Sequence, residues 1–309
     1  MIPEKHGHPL ERKDRMKKKY IPGLFDFMNI QSKNPILQKM LFYPPYMQYG
    51  FRVLERLFKV FSLPGINKIH PWVQTEKNKL FVIPVKESLE GSEDVTVPYQ
   101  IVESFIEKSS CRIIVDFCAC RTAHVCKDYP IELGCLLMGE DVREIPGTWT
   151  RSVTKEEARE HVRKGMESGL PCFAGKPRID NYIFGVPDNG RMFSVCFCCD
   201  CCCLGNKIIN CLPPDRKNVQ FSRLEGLRIT VDEEKCTGCN ICAEKCFTYQ
   251  ITMKHGLPHI PDDCQGCGRC AKYCPENAIH LSLENPDFVD NTIRFLENMI
   301  DVKADPHCM

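Results

Sequence analysis

Residues 236–275 constrain the chain more than any other stretch, because they write one cysteine spacing twice, 28 residues apart. Cys236, Cys239, Cys242 and Cys246 fall at gaps of two, two and three residues, and Cys264, Cys267, Cys270 and Cys274 repeat them. Such spacing puts three thiolates on one tight loop. Gly238, Gly266 and Gly268 lie between these cysteines, where a backbone without Cβ bends sharply and can aim N–H groups at sulfur. Paired C-x2-C motifs also make tetrahedral zinc sites, but two full runs exceed what such a site needs.

The pattern resembles two-[4Fe-4S] bacterial ferredoxins over roughly Arg228 to Ser282, and the second repeat matches through Cys274-Pro275-Glu276-Asn277-Ala278-Ile279. In the first repeat Phe247 stands at the proline position, which reads as a change of packing and not of ligation. In that family the fourth thiolate of each cluster comes from the other repeat. The resemblance therefore implies Cys236, Cys239, Cys242 and Cys274 on cluster one, and Cys264, Cys267, Cys270 and Cys246 on cluster two.

At 309 residues the chain is long enough for more than this module. Its 22 cysteines come without an apolar leader after Met1, so a reducing, anoxic cytoplasm is expected, with peripheral membrane contact left open. Lys and Arg (41) balance Asp and Glu (40), which gives no global case for nucleic acid, and no apolar run approaches bilayer length.

The expected fold class is α+β: an N-terminal helical arm (1–78), a cysteine-rich α+β domain (79–224), a dicluster ferredoxin-like domain (225–285), and a C-terminal helix and tail (286–309). In the arm, Glu11–Lys19 is a charged run, and Asn34-Pro35 starts a short helix carrying Ile36, Leu37, Met40 and Leu41. An amphipathic helix over Tyr49–Phe61 gathers Val53, Leu54, Leu57, Phe58 and Phe61; its own core, a partner subunit and a membrane surface all remain open as what it covers.

Downstream, Leu80–Val85 and Arg112–Phe117 read as strands, with a helix between them through Ile101, Val102, Phe105 and Ile106. Thr154 and Glu157 form a capping box ahead of Ala158, Val162 and Met166. Pro187–Gly190 predicts a hairpin between Tyr182–Val186 and Met192–Phe197. Asp287–Val302 predicts a helix docked on the ferredoxin module through Phe288, Ile293, Leu296, Met299 and Ile300.

A second set of cysteines precedes the module: Cys118, Cys120, Cys126 and Cys135, then Cys196, Cys198, Cys199, Cys201, Cys202 and Cys203. If the second group is extended, Cys199, Cys201 and Cys203 face one way and Cys198 and Cys202 the other. No single mononuclear site could use all ten, so one or more additional iron–sulfur clusters are expected, with the ligand subset open. Cys111, Cys172, Cys211 and Cys308 read as ordinary interior cysteines.

His124 reads as a hydrogen-bonding neighbour more than as a ligand. Arg121, beside Cys120, either stabilises an anionic cluster or pairs with a carboxylate. Here the chain is similar to a group of cysteine-rich, ferredoxin-type proteins of anaerobic bacteria and archaea, through Cys118-Ala119-Cys120-Arg121, Cys126, Gly134-Cys135-Leu136, Gly139, Cys196 and Cys198–Cys203. That similarity implies cofactor binding and no particular reaction.

No phosphate loop, nucleotide fingerprint or hydrolytic triad is present. The expected function is electron transfer through two [4Fe-4S] clusters and at least one further cluster, as partner or subunit of a larger anaerobic oxidoreductase. A reductase with a catalytic upstream cluster, and a metallocluster assembly or donor protein, stay open as alternatives.

Overall fold

The structure is a computed structural model that describes residues 44–61, 63, 78–85, 97–145, 149–212, 221–285 and 287–303. The charged run at Glu11–Lys19, the short helix after Asn34 and Cys308 lie outside the described residues.

Helix α1 (Pro44–Phe61) begins with two prolines, which suit a first turn because their missing N–H groups have no intrahelical partner there. Met47 and Phe51 are buried one helical turn apart, whereas Tyr49, Val53 and Val60 are exposed. Of the expected apolar face, Val53 is exposed, and the side chains of Leu54, Leu57, Phe58 and Phe61 lie outside the described residues.

Strand β1 (Lys79–Ile83), α2 (Val97–Lys108), β2 (Arg112–Val115), the short α3 (Ala119–His124), β3 (Leu136–Met138), β4 (Thr150–Ser152), α4 (Lys155–Glu167), β5 (Cys172–Lys176), α5 (Arg178–Phe184), β6 (Phe193–Phe197), α6 (Leu204–Cys211) and β7 (Phe221–Arg223) build the upstream unit. Its sheet runs β4-β2-β3-β6-β5-β1-β7; every neighbouring pair is antiparallel except β1 and β7. Alternation along the strands separates two faces. Ile114, Leu136, Met138, Phe193 and Val195 join the main core, where Phe105 of α2 stacks on Phe193 at 4.1 Å, while Ile113, Val115 and Leu137 join a smaller cluster with Phe184 and Met192. Helix α4 starts with the expected capping box between Thr154 and Glu157.

The hairpin expected around Pro187–Gly190 is not formed. Residues 178–184 are helix α5, and β6 pairs with β3 and β5 instead. The turn residues are recruited elsewhere: Asp141 accepts from the Asn189 and Arg191 amides and the Asn189 side chain, which holds this loop against the 3-10 turn Glu140–Glu144.

Strand β8 (Leu227–Val231), α7 (Ile241–Glu244), β9 (Thr252–Lys254), β10 (Leu257–His259), α8 (Arg269–Lys272) and β11 (Ile279–Leu283) form the cysteine-repeat module. β8 pairs antiparallel with β11 in full register from Leu227–Leu283 to Val231–Ile279, and β9 pairs with β10. The final helix α9 (Phe288–Met299) buries Phe288 and Leu296. It packs on α2, with Lys108 and Glu297 paired at 3.0 Å and Phe295 edge-on to Phe81. This corrects the expectation that it docks on the ferredoxin module; its apolar stripe meets the upstream core because the Asp301 amide bonds Gly190 and the Val302 carbonyl accepts from Ser110.

Among the described residues no helix is long and apolar enough to cross a membrane.

Candidate metal centre

The two halves of the module are built alike. Gly266 and Gly238 both have φ of +71°, and the next turn uses Gly268 at +76° in one half and Asn240 at +65° in the other. A Cβ on Gly266 would stand 2.5 Å from Leu227 Cδ2, so the ligand loop requires glycine for space as well as for conformation.

Cys236, Cys239, Cys242 and Cys274 line one apolar hollow together with Met253, Pro258 and Ile279. In the other half, Cys264, Cys267 and Cys270 are near enough to Cys246 that its charge disfavours ionisation of each. Burial is the larger cause, and it pushes Cys267 up to about 12. Backbone amides aim at the sulfurs: Gly266 N donates to Cys264 at 3.4 Å, Gln250 N to Cys246 at 3.4 Å and Ala278 N to Cys274 at 3.2 Å. All-thiolate donor sets, glycine-dependent loops and N–H···S bonds fit [4Fe-4S] clusters.

Phe247, the residue that replaces the expected proline, explains how the module is seated. It is fully buried, its ring lies 5.4 Å from Phe173 of β5, and its carbonyl accepts from the Asn206 amide of α6. Further contacts come from the second ligand loop. Val85 N donates to the Cys267 carbonyl at 3.1 Å. Arg269, only 2% exposed, pairs with Asp200 at 3.1 Å and donates to Tyr129 Oη at 3.2 Å.

The ten upstream cysteines sort into two places. The first group starts just past β2 and the second begins inside β6, but residues 200–202 form a turn into α6 and not an extended segment, so the expected alternation of side chains does not hold. Cys118, Cys120, Cys203 and Cys198 form a chain of hydrogen-bonded thiols. Cys135 and Cys196 stand 3.1 Å apart beside them. These six and Cys199 line a cavity of about 110 Å³ with Arg121, Asp180 and an apolar wall including Phe173, Phe184 and Ile208. A water occupies roughly 10–15 Å³ on that measure, so this space exceeds what one small ion needs. Cys199 also belongs to a second group. Cys126, Cys199, Cys201 and Cys202 bring their sulfurs within 4.8 Å of one another.

Arg121 carries the electrostatics of the cavity. It is fully buried, donates to the Phe197 carbonyl at 2.8 Å and to the Leu133 carbonyl, and its Nε has no hydrogen-bond partner. Of the two roles expected for it, carboxylate pairing finds no partner among its hydrogen bonds. Burial disfavours its charge, but the sulfurs of Cys118, Cys199, Cys198 and Cys135 outweigh that and keep it protonated.

The thiols themselves resist ionisation. A hydrogen bond with a neighbouring thiol, then burial, drives Cys118 and Cys196 well above the usual range. For Cys120 and Cys203 a stabilising bond from one neighbour is outweighed by the bond to the next and by burial. Bound metal would displace these protons. Cys172, outside the cavity chain, is pushed up to about 12 by burial alone.

His124 is a hydrogen-bonding neighbour: its Nε2 lies 2.7 Å from Glu55 Oε1 of α1, which also pairs with Lys207 of α6. Sequence reasoning missed Asp180, Asp200 and Arg269. Only Arg269 left a signal, as a cation between two ligand positions of the second repeat.

The 4Fe-4S binding domain family matches residues 229–252 and 257–280. That segment carries two 4Fe-4S binding repeats, in keeping with a dicluster ferredoxin module. Comparisons with curated proteins and with solved structures found no match.

Proposed function

We propose that the chain is an iron–sulfur electron-transfer protein acting with redox partner proteins or as a subunit of a larger anaerobic oxidoreductase in a reducing cytoplasm. Cys236, Cys239, Cys242 and Cys274 hold one [4Fe-4S] cluster, and Cys264, Cys267, Cys270 and Cys246 the other. Cys118, Cys120, Cys198 and Cys203, flanked by Cys135 and Cys196, hold a further cluster in the upstream cavity. Residues 79–224 and 225–285 are its two cofactor-bearing units.

The observation that carries this reading is the seating of the tandem repeat, by its second ligand loop, against a unit whose cavity is lined with thiols around the buried Arg121 guanidinium. When bound, such clusters supply one-electron carriage at potentials set by their surroundings. Arg121 offsets negative charge in the cavity, and backbone amides donate to ligand sulfurs in the module, both of which favour the reduced, more anionic state. Much of the cavity wall is apolar, which limits the partners a water there would find. Cys239, exposed at the outer repeat, leaves that half open to a partner.

Anaerobic purification followed by iron and sulfide counting and electron paramagnetic resonance tests the proposal. More iron and sulfide than two [4Fe-4S] clusters contain is expected, and Cys246→Ser should damage the second-repeat signal while Cys274→Ser damages the first. A full-length chain holding only two clusters' worth would refute the upstream cluster. Steady turnover of a small substrate by the isolated reduced chain would favour a catalytic site instead.

A further inference from the structure

The sulfurs of Cys126 and Cys201 are 3.7 Å apart, those of Cys201 and Cys202 are 3.5 Å apart, and all four in the set with Cys199 lie within 4.8 Å of one another. Thiolates placed tetrahedrally at about 2.3 Å from one zinc ion have edges of about 3.8 Å. Thiolates on a cubane each bind a different iron and stand farther apart. Among the described residues no other group of three or more cysteine, histidine or acidic side chains gathers closely enough to hold a single ion, the ferredoxin ligand sets included.

We propose that Cys126, Cys199, Cys201 and Cys202 hold one zinc ion in a closed tetrathiolate site, separate from every iron–sulfur cluster, which staples the upstream unit to the ferredoxin module.

The local backbone is arranged for this. Val125, a β-branched residue with φ of +51°, turns the chain out of α3 so that Cys126 follows at once, its amide bonded to the Arg121 carbonyl at 2.9 Å. A left-handed conformation at such a residue is strained and persists where its surroundings fix it. Backbone amides of Asp128 and Tyr129 donate to the Cys126 sulfur, as outer partners of metal thiolates do. On the other side, the Cys203 amide closes on the Cys199 carbonyl at 3.3 Å, and this turn gathers Cys199, Cys201 and Cys202 on one side while Cys198 and Cys203 join the cavity chain.

Four sulfurs fill a tetrahedral shell and leave no open position, so the role is structural. What the ion fixes is specific. Asp200 sits between two of its ligands and Tyr129 three residues beyond a third, and these two residues clamp Arg269, which lies between Cys267 and Cys270. Binding free energy at the site becomes stability of the docked arrangement.

The experiment uses full-length protein purified anaerobically, with metals measured by mass spectrometry. Wild type should carry one zinc per chain; Cys126→Ser and Cys201→Ser should each lose it while iron and acid-labile sulfide stay unchanged, which also reports a folded chain. Protein grown with Co²⁺ should show thiolate-to-cobalt charge transfer and tetrahedral ligand-field bands that both variants lack. Joint loss of iron and sulfide in the variants would make these cysteines cluster ligands and overturn the proposal. Zinc unchanged in both variants, or a single iron with a ferric tetrathiolate spectrum in its place, would overturn it too. Absence of tetrahedral thiolate bands from the cobalt spectrum of wild type is likewise a refuting result.

Discussion

Arg121 is where a single side chain carries most consequence. Two carbonyls accept its hydrogen bonds, and among the described residues no carboxylate is bonded to it. Arg121→Met should destabilise the chain by about 2–4 kcal/mol, the cost of leaving two buried acceptors unpaired, and should remove upstream iron while ferredoxin signals persist. Denaturant titration and metal counting check the two parts separately. His161 makes the complementary case for pH. Burial lowers its affinity for a proton, more than its bond to the Gly134 carbonyl at 2.8 Å raises it. The unfolded chain then takes up a proton near pH 6.5 before the folded chain does, so stability is present above that pH and is lost as pH falls below it. Replacing His161 by Gln should flatten this dependence; equal slopes for the two proteins between pH 7 and 5 would disprove it.

At the scale of elements, what the sequence disclosed was local. Ligand spacing, the Thr154 capping box and the apolar stripes of α2 and α9 each depend on residues within a few positions of one another, and each is where it was expected. Long-range partners were not legible, because period-two and period-3.6 patterns say which face is apolar but not what covers it. Pro187–Gly190 carries strong turn chemistry, yet β6 finds β3 and β5, and Asp141 holds the turn. The apolar face of α9 likewise found α2. Phe247 shows both sides of this: its departure from the proline pattern was visible, its pocket against Phe173 and Asn206 was not. Phe247→Ala should cost about 3–5 kcal/mol, as for a large aromatic removed from a packed site. Limited proteolysis should then release a fragment near residues 225–285 sooner than in wild type, and identical cleavage rates would show that Phe247 does not hold the module.

Taken as a whole molecule, the protein has a protected end and an open one. The second repeat faces inward: Cys270 and the crossed ligand Cys246 are buried, the Cys267 carbonyl is bonded to Val85, and Arg269 is clamped between Asp200 and Tyr129. The first repeat is open at its leading edge, with Cys239 exposed and Cys236 half-buried among the exposed residues Glu233, Glu234, Lys235, Thr237 and Asn240, although Cys242 is buried. Attack by a chelator or oxidant on a buried ligand set requires local opening, whose free energy rises with packing around it. Thiol access should therefore appear in a fixed spatial order. During slow treatment of the anaerobically purified chain with an iron chelator, timed alkylation and mass spectrometry should find Cys236 and Cys239 modified first. Cys264, Cys267 and Cys270 should follow, and Cys118, Cys120, Cys198 and Cys203 come last, behind β6 and α6. Asp200→Asn should bring the second repeat forward towards the first, since it leaves Arg269 buried without its counter-charge, a change that costs about 3–5 kcal/mol when a buried pair is broken. Simultaneous labelling of both repeats in the wild-type chain would mean that the inward face is not protected, and would remove the polarity on which a one-sided approach by a redox partner depends.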